Sequence, residues 1–260
     1  MSSQSPRVAV ITGASSGIGE ATPRALHATG YRVALLARRT DRIQAIANEL
    51  GTGALAIPAD VTDVTDVTDV TDVTDVTDVT DRDSLTAAAQ QLHDEIGNTD
   101  VLINNAGVML LGPFSPDQRD DYRQMIDINL LGAITTTEVF LDQLTASPGG
   151  DIVNISSVAG RTARAGNGVY AATKWGINGW SESLRQELLP DVRVTLIEPG
   201  VVATELPNHI THSHTKTAIT DLYDKATVTP EDIAEVIAYT LSRPRHLAIN
   251  EILLRPADQI

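Results

Sequence analysis

Arg7-Val8-Ala9-Val10-Ile11-Thr12 runs directly into Gly13-Ala14-Ser15-Ser16-Gly17-Ile18-Gly19 near the start of a 260-residue chain. A short apolar strand, a glycine cluster and then a helical segment make the first half of a nucleotide-binding βαβ unit. Glycine lets the backbone turn tightly and approach a pyrophosphate, whose charge then meets the amides that open the helix. Similar apolar runs follow at Tyr31–Ala37, Ala54–Ala59, Val101–Asn104, Asp151–Ser156, Arg193–Glu198 and Ala248–Leu254. Helical spacing occupies Asp41–Leu50, Ser84–Ile96, Gln118–Leu144, Ala171–Leu189 and Pro230–Ser242 between them. Near-continuous apolar strands alternating with helices imply a parallel sheet covered on both faces. The expected fold is therefore α/β: one doubly wound, Rossmann-type domain whose ligands bind beyond the carboxyl ends of its strands. Pro23 falls inside the first helix, where a missing donor predicts a local kink.

The second strand sharpens the ligand. It ends Ala37-Arg38-Arg39, where folds that bind NAD place an acid on the ribose 2′-hydroxyl. Arginine cannot accept that hydroxyl's proton but pairs well with a 2′-phosphate. The expected cofactor is NADP(H).

A second constellation is Tyr170-Ala171-Ala172-Thr173-Lys174, with Ser157 thirteen residues upstream. Residues i and i+4 share a helix face, so the Tyr170 phenol and the Lys174 ammonium can reach one site. A free phenol, with a pKa near 10, shuttles protons poorly at neutral pH, and a nearby cation lowers that pKa by roughly 1–3 units.

Bulk properties exclude several classes. A net charge of −15 argues against nucleic acid, because phosphate binding needs a basic face. The chain has no cysteine, so thiolate catalysis and Cys-based zinc sites are ruled out. No apolar run approaches a membrane span, and the N-terminus lacks a signal-peptide layout. A cytoplasmic protein without nucleic-acid or membrane partners is expected. Much of the charge is local: from Asp60 to Asp81 the triplet Asp-Val-Thr repeats seven times and closes on Asp81. Period three fits neither strand nor helix. The segment is read as a solvated acidic loop within the 1–260 domain. A divalent-cation loop would normally carry a glycine turn and varied ligands, and this one has neither.

Taken together these landmarks resemble the short-chain dehydrogenase/reductase family, in its single-domain branch, from about Arg7 to Gln259. In order they are Thr12-Gly13-x3-Gly17-x-Gly19, Asp60-Val61, Asn104-Asn105-Ala106-Gly107, Asn129, Ser157, Tyr170-x3-Lys174 and Pro199-Gly200-x3-Thr204. The resemblance implies hydride transfer between nicotinamide and a carbonyl or alcohol carbon. Tyr170 would be the general acid or base, and Ser157 would hydrogen-bond the reacting oxygen. Lys174 would hold the nicotinamide ribose and depress the tyrosine pKa. Asn129 would bend its helix and hold a relay water. Gly13, Ser15, Ser16, Gly17, Ile18 and Gly19 would cradle the cofactor phosphates. Asp60 and Val61 would meet the adenine, and Asn105, Ala106 and Gly107 would line the cofactor path. Pro199, Gly200, Val202 and Thr204 would flank the nicotinamide. The family also implies a homotetramer, consistent with long helices that are apolar around much of their circumference.

A narrower likeness, to the clavulanate dehydrogenase group of NADPH-dependent reductases, rests on four stretches. They are Val108–Pro113, Ser156–Arg161, His209–His212 and Glu251–Pro256. It favours reduction of an aldehyde, ketone or amino ketone. Substrate choice is assigned to Met109, Leu110, Arg161, Asn167 and the segment from Glu205 to Thr220. His209, His212 and His214 in that segment are read as a polar lid, with no metal. The alternative is a non-catalytic NADP-sensing regulator. Such proteins lose the tyrosine or the lysine, and this chain keeps both.

Overall fold

Strand formation follows the buried runs closely. The computed structural model describes residues 5–58, 82–146 and 149–259. Asp60, Val61 and the Asp-Val-Thr repeat therefore lie outside the described residues. The strands are β1 (Val8–Thr12), β2 (Arg32–Ala37), β3 (Ala54–Pro58), β4 (Val101–Asn104), β5 (Gly150–Ile155), β6 (Val192–Pro199) and β7 (Glu251–Leu254). All pair in parallel, in the order β3-β2-β1-β4-β5-β6-β7. Ala9 of β1 stands beside Val33 on one side and Val101 on the other. The order reverses between β1 and β4, and a crevice opens there at the carboxyl ends of the strands.

Alternation along each strand builds two cores. Val8, Val10, Leu36, Leu102, Ile152 and Val194 face one way, against α3 (Arg82–Ile96), α5 (Gly132–Ala146) and α6 (Gly168–Glu187). Ala9, Ile11, Val33, Leu35, Ile103 and Ile197 face the other, against α1 (Gly17–Ala28), α2 (Thr40–Leu50) and α8 (Pro230–Leu241). Each such side chain contributes about 1.5–3 kcal/mol of burial, so both faces are firmly covered. A capping box between Thr229 and Asp232, with Pro230 in the first turn, fixes the start of α8. Pro23 stays inside α1 with a buried ring.

Two expectations change. Gln118–Leu144 is not one helix: α4 (Arg119–Ile126) passes through a π turn at Asp127–Leu131 before α5 begins. The π turn carries Asn129 into the interior, where it is 2% exposed. The segment after β6 also holds a helix that no apolar stripe announced, α7 (Ser213–Tyr223), which has no buried residue. Among the described residues no helix is long and apolar enough to cross a membrane.

The amino end of the sheet carries a charge hub. Asp151, 3% exposed at the start of β5, accepts from Arg193 at 2.7 Å, Arg7 at 2.8 Å and Arg245 at 3.1 Å. Asp100 adds a second negative charge near Arg7, so three guanidinium groups share two carboxylates. Arg245 is held below its ordinary pKa, first by burial and then by Arg193 and Arg7, despite the pull of Asp151.

Candidate active site

The glycine turn is shaped by contacts that leave no room for side chains. Gly13 has φ +66°, and a Cβ there would meet the Ala106 backbone at 2.8 Å. At Gly19 it would come within 2.2 Å of the Gly13 carbonyl, so α1 packs directly on the turn it follows. Thr12 Oγ1 accepts from the amides of Asn105 and Ala106, and Asn105 Nδ2 donates to the Thr12 carbonyl at 3.0 Å. The β4 loop is thereby stapled to the β1 turn. Ser16 precedes α1 but supplies no side-chain cap to its opening amides. Those donors face a cleft, as a site for an anion requires.

The cleft has an empty volume of about 1300 Å³, mouth included. Its walls bring together most of the residues singled out from sequence: Gly13, Ser15, Ser16, Gly17 and Ile18; Arg38 and Arg39; Asn105, Ala106 and Gly107. Ser157, Tyr170 and Lys174 form the deep end with Pro199, Gly200, Val202 and Thr204. The set fits a dinucleotide: helix amides for a pyrophosphate, arginines at one end, and a phenol with an ammonium at the other. Gly19 does not line it, and acts through packing. Asn104 points into the interior, donating to Thr137 and Asn154.

At the deep end Tyr170 is 7% exposed and shares a side-chain hydrogen bond with Ser157. Ser157 Oγ also accepts from the Ala159 amide at 3.1 Å, which orients the hydroxyl. Lys174 Nζ donates to the Ile155 carbonyl at 2.9 Å and lies 5.8 Å from the Tyr170 ring centroid. The expected depression of the tyrosine pKa is not found. Burial pushes the phenol up to about 12, against the opposing hydrogen bond from Ser157. Burial also takes Lys174 down to about 8. Both groups lose hydration together, and that loss outweighs the pull of the ammonium.

Asn129 does not reach the cleft. Its Oδ1 accepts from the Val108 amide at 2.7 Å, and Nδ2 donates to the Val108 carbonyl and to Thr173 Oγ1. Both side-chain donors are spent, so at most one lone pair is left to hold a relay water. Its position ties the β4 loop to the helix residue beside Lys174.

The residues assigned to substrate choice sit in different surroundings. Met109 and Leu110 are buried in a cluster shared with the cleft residues Val108 and Tyr170, and Tyr223 Oη donates to Met109 Sδ at 3.8 Å. Arg161 pairs with Glu198 and Glu251 on β6 and β7. Asn167 precedes α6, its Oδ1 accepting from the Arg164 amide. His212 caps α7, accepting from the Thr215 amide. The assigned segment contributes Glu205, Leu206 and His209 to the cleft wall, and α7 adds Tyr223. Tyr223 went unremarked in the sequence, although a tyrosine in an otherwise polar lid was the available signal. Half-buried against the cluster below α7, Tyr223 has its pKa raised by lost hydration and then by Tyr170, so a second phenol stands near the first.

A family model described as short chain dehydrogenase matches residues 7–76 and 71–215. An uncharacterized oxidoreductase of Staphylococcus saprophyticus is 35% identical over 263 residues, spanning 100% of this chain and 99% of the relative. A serine dehydrogenase in its closed form, complexed with NADP+, superimposes with a TM-score of 0.84. It is 31% identical, over 97% of this chain and 96% of that one. An alcohol dehydrogenase from the archaeon Thermococcus sibiricus, complexed with 5-hydroxy-NADP, gives 0.81 at 29% identity, over 98% of both chains. The geometry and the matched length agree, and the chain belongs to the short-chain dehydrogenase/reductase family.

Proposed function

We propose that this protein is an NADP(H)-dependent carbonyl reductase, also able to run as an alcohol dehydrogenase. Its substrate class is an aldehyde, ketone or amino ketone and the matching alcohol or amino alcohol. One observation carries the reading: a buried phenol, hydrogen-bonded to a serine and beside a buried ammonium, closes a cleft whose other end carries Arg38 and Arg39. Bound NADPH supplies the hydride to the carbonyl carbon. Tyr170 gives its phenolic proton to the carbonyl oxygen, so that C=O becomes CH–OH. Ser157 donates a hydrogen bond to the same oxygen as charge develops on it. Lys174 holds the nicotinamide ribose hydroxyls and stabilises the phenolate left after proton transfer. Asn129 acts at one remove, by positioning Thr173 and the β4 loop.

The cofactor assignment is supported by the arginines at the carboxyl end of β2 and by the NADP-bound state of the serine dehydrogenase and alcohol dehydrogenase relatives. Replacing Arg39 by Asp is expected to cut the preference for NADPH over NADH by about 10–100-fold, since charge-assisted hydrogen bonds contribute about 1.5–3 kcal/mol. Dissociation constants from nicotinamide fluorescence measure this; an unchanged ratio would remove Arg39 from the 2′-phosphate site. The amino-ketone member of the class draws on the serine dehydrogenase likeness and on the polar tips of His209 and Tyr223 in the cleft wall. The likeness to the clavulanate dehydrogenase group favours the reductive direction. The decisive assay follows NADPH absorbance at 340 nm across aldehydes, ketones and amino ketones. No consumption with any of them would overturn the reading.

We place the enzyme in the cytoplasm as one NADP-binding domain, with the acidic repeat outside its catalytic machinery. We assign it a homotetramer. Ile126 on α4, Leu131 in the π turn and Trp175 on α6 are large apolar side chains left exposed on neighbouring elements. Single exposed residues are ordinary, but a shared patch marks an interface. Sedimentation at micromolar concentration is expected to give a species near four times 27.7 kDa; a monomer would contradict it.

A further inference from the structure

Arg39, just past β2, and Arg42, in the first turn of α2, are engaged by an anion that belongs to the chain itself. Glu205 follows Thr204 at the point where the nicotinamide wall becomes the lid. Its carboxylate accepts from Arg39 at 2.8 Å and, with both oxygens, from Arg42 at 3.1 Å. Arg39 Nε donates at the same time to Ser15 Oγ at 3.1 Å. Two guanidinium groups and a serine hydroxyl thus converge where the sequence places the 2′-phosphate, and a carboxylate occupies the cluster. Carboxylate and phosphate are bound by the same planar donors. The Glu205 carboxyl is held below its ordinary pKa, first by the hydrogen bond from Arg39, so it is an anion at neutral pH.

The latch is built to be exchanged. All three side chains are between 41% and 47% exposed, and exposed ion pairs hold only weakly, about 0–1 kcal/mol. A phosphate dianion brings more charge and more acceptors to the same donors. Glu205 also comes from a distant part of the sequence, 166 residues from Arg39. Breaking the pair therefore frees the lid from α2, beginning with the turn at Leu206–His209 and continuing into α7.

Resting on the NADP(H) reading above, we propose that Glu205 is an internal competitor for the cofactor's 2′-phosphate. The phosphate displaces it from Arg39 and Arg42, and this exchange releases the lid over the substrate end. Binding of any ligand bearing the 2′-phosphate is weakened by the fraction of molecules in which the latch is closed.

Adenosine 2′,5′-bisphosphate and adenosine 5′-monophosphate test this without touching the nicotinamide end. In calorimetry, Glu205→Gln is expected to tighten the bisphosphate about 5-fold and leave the monophosphate within about 2-fold. Glu205→Asp keeps the charge but withdraws the carboxylate by one methylene, and is expected to tighten the bisphosphate as well. Simple long-range repulsion would leave the Asp variant at the wild-type value. In hydrogen–deuterium exchange, the bisphosphate should speed exchange across residues 206–223 of the wild type, while the monophosphate should not. A wild type that prefers the bisphosphate, with neither variant tighter and no lid response, overturns the competition and leaves the cofactor reading standing. A wild type indifferent to the 2′-phosphate overturns both.

Discussion

Replacing Tyr170 by Phe is expected to lower kcat for carbonyl reduction by about 10³-fold, within the range a positioned general acid contributes. The NADPH dissociation constant should stay within about 3-fold, because the substitution removes one oxygen and leaves the walls of the cleft intact. The phenol suits the role of proton donor because it is buried, partnered by Ser157 and close to Lys174. Burial holds it at about 12, so throughout the neutral range it carries the proton that reduction consumes. The difference in absorbance at 295 nm between wild type and variant should therefore show no phenolate below about pH 10, the free-tyrosine value. The sign of the linkage follows. The folded pKa lies above the unfolded one, so the contribution to stability is complete below pH 10 and lost as pH rises toward 12. Retained turnover would transfer the proton-donor role to Lys174, Tyr223 or His209, titratable groups that also line the cleft.

The Asp151→Asn substitution is expected to cost about 3–5 kcal/mol, the usual penalty for removing one partner of a buried ion cluster. The amide keeps the shape but leaves Arg7, Arg193 and Arg245 without their shared anion. For a domain of this size the melting temperature should fall on the order of 10 °C. Arg245→Gln is the informative contrast. That guanidinium is partly exposed and already held down by burial and by its two neighbours, so its loss should cost less than about 1 kcal/mol. Cofactor affinity below the melting range should be unaffected by either change, since Asp151 and Ser157 bracket opposite ends of β5, about 20 Å apart. Melting of the Asn variant within about 2 °C of the wild type would show that the three arginines find adequate partners without Asp151.

Seven strands were legible because parallel strands buried on both faces become continuous apolar runs. Boundaries moved by a residue or more where pairing continued past the apolar run, as at Gly150 and Pro199. The π turn at Asp127–Leu131 was not legible, because one extra residue in a turn hardly disturbs a helical pattern read over a long window. Helix α7 escaped for the opposite reason: with no buried residue it has no stripe to read. Tyr170, Ser157 and Lys174 were found through spacing and resemblance, and the fold brings them to one end of one cleft. Met109, Leu110, Arg161 and Asn167 are expected at the substrate end from sequence, and the fold gives each of them a packing or pairing partner. Nearness in sequence to the catalytic residues does not say which way a side chain points, and the core, two carboxylates and a helix start claimed them.

Local pattern and residue chemistry by themselves determined the parallel α/β sheet, the glycine turn, the arginines in place of an acid after β2 and the pairing of Tyr170 with Lys174. Each depends on backbone or side-chain properties that act over a few residues. Only the tertiary structure decided that burial, not the ammonium, governs the phenol. It alone set Asn129 as a clamp on Val108 and Thr173, and laid Glu205 on Arg39 and Arg42. Those outcomes turn on desolvation and on contacts between residues far apart in the chain, and neither has a signature in a linear sequence.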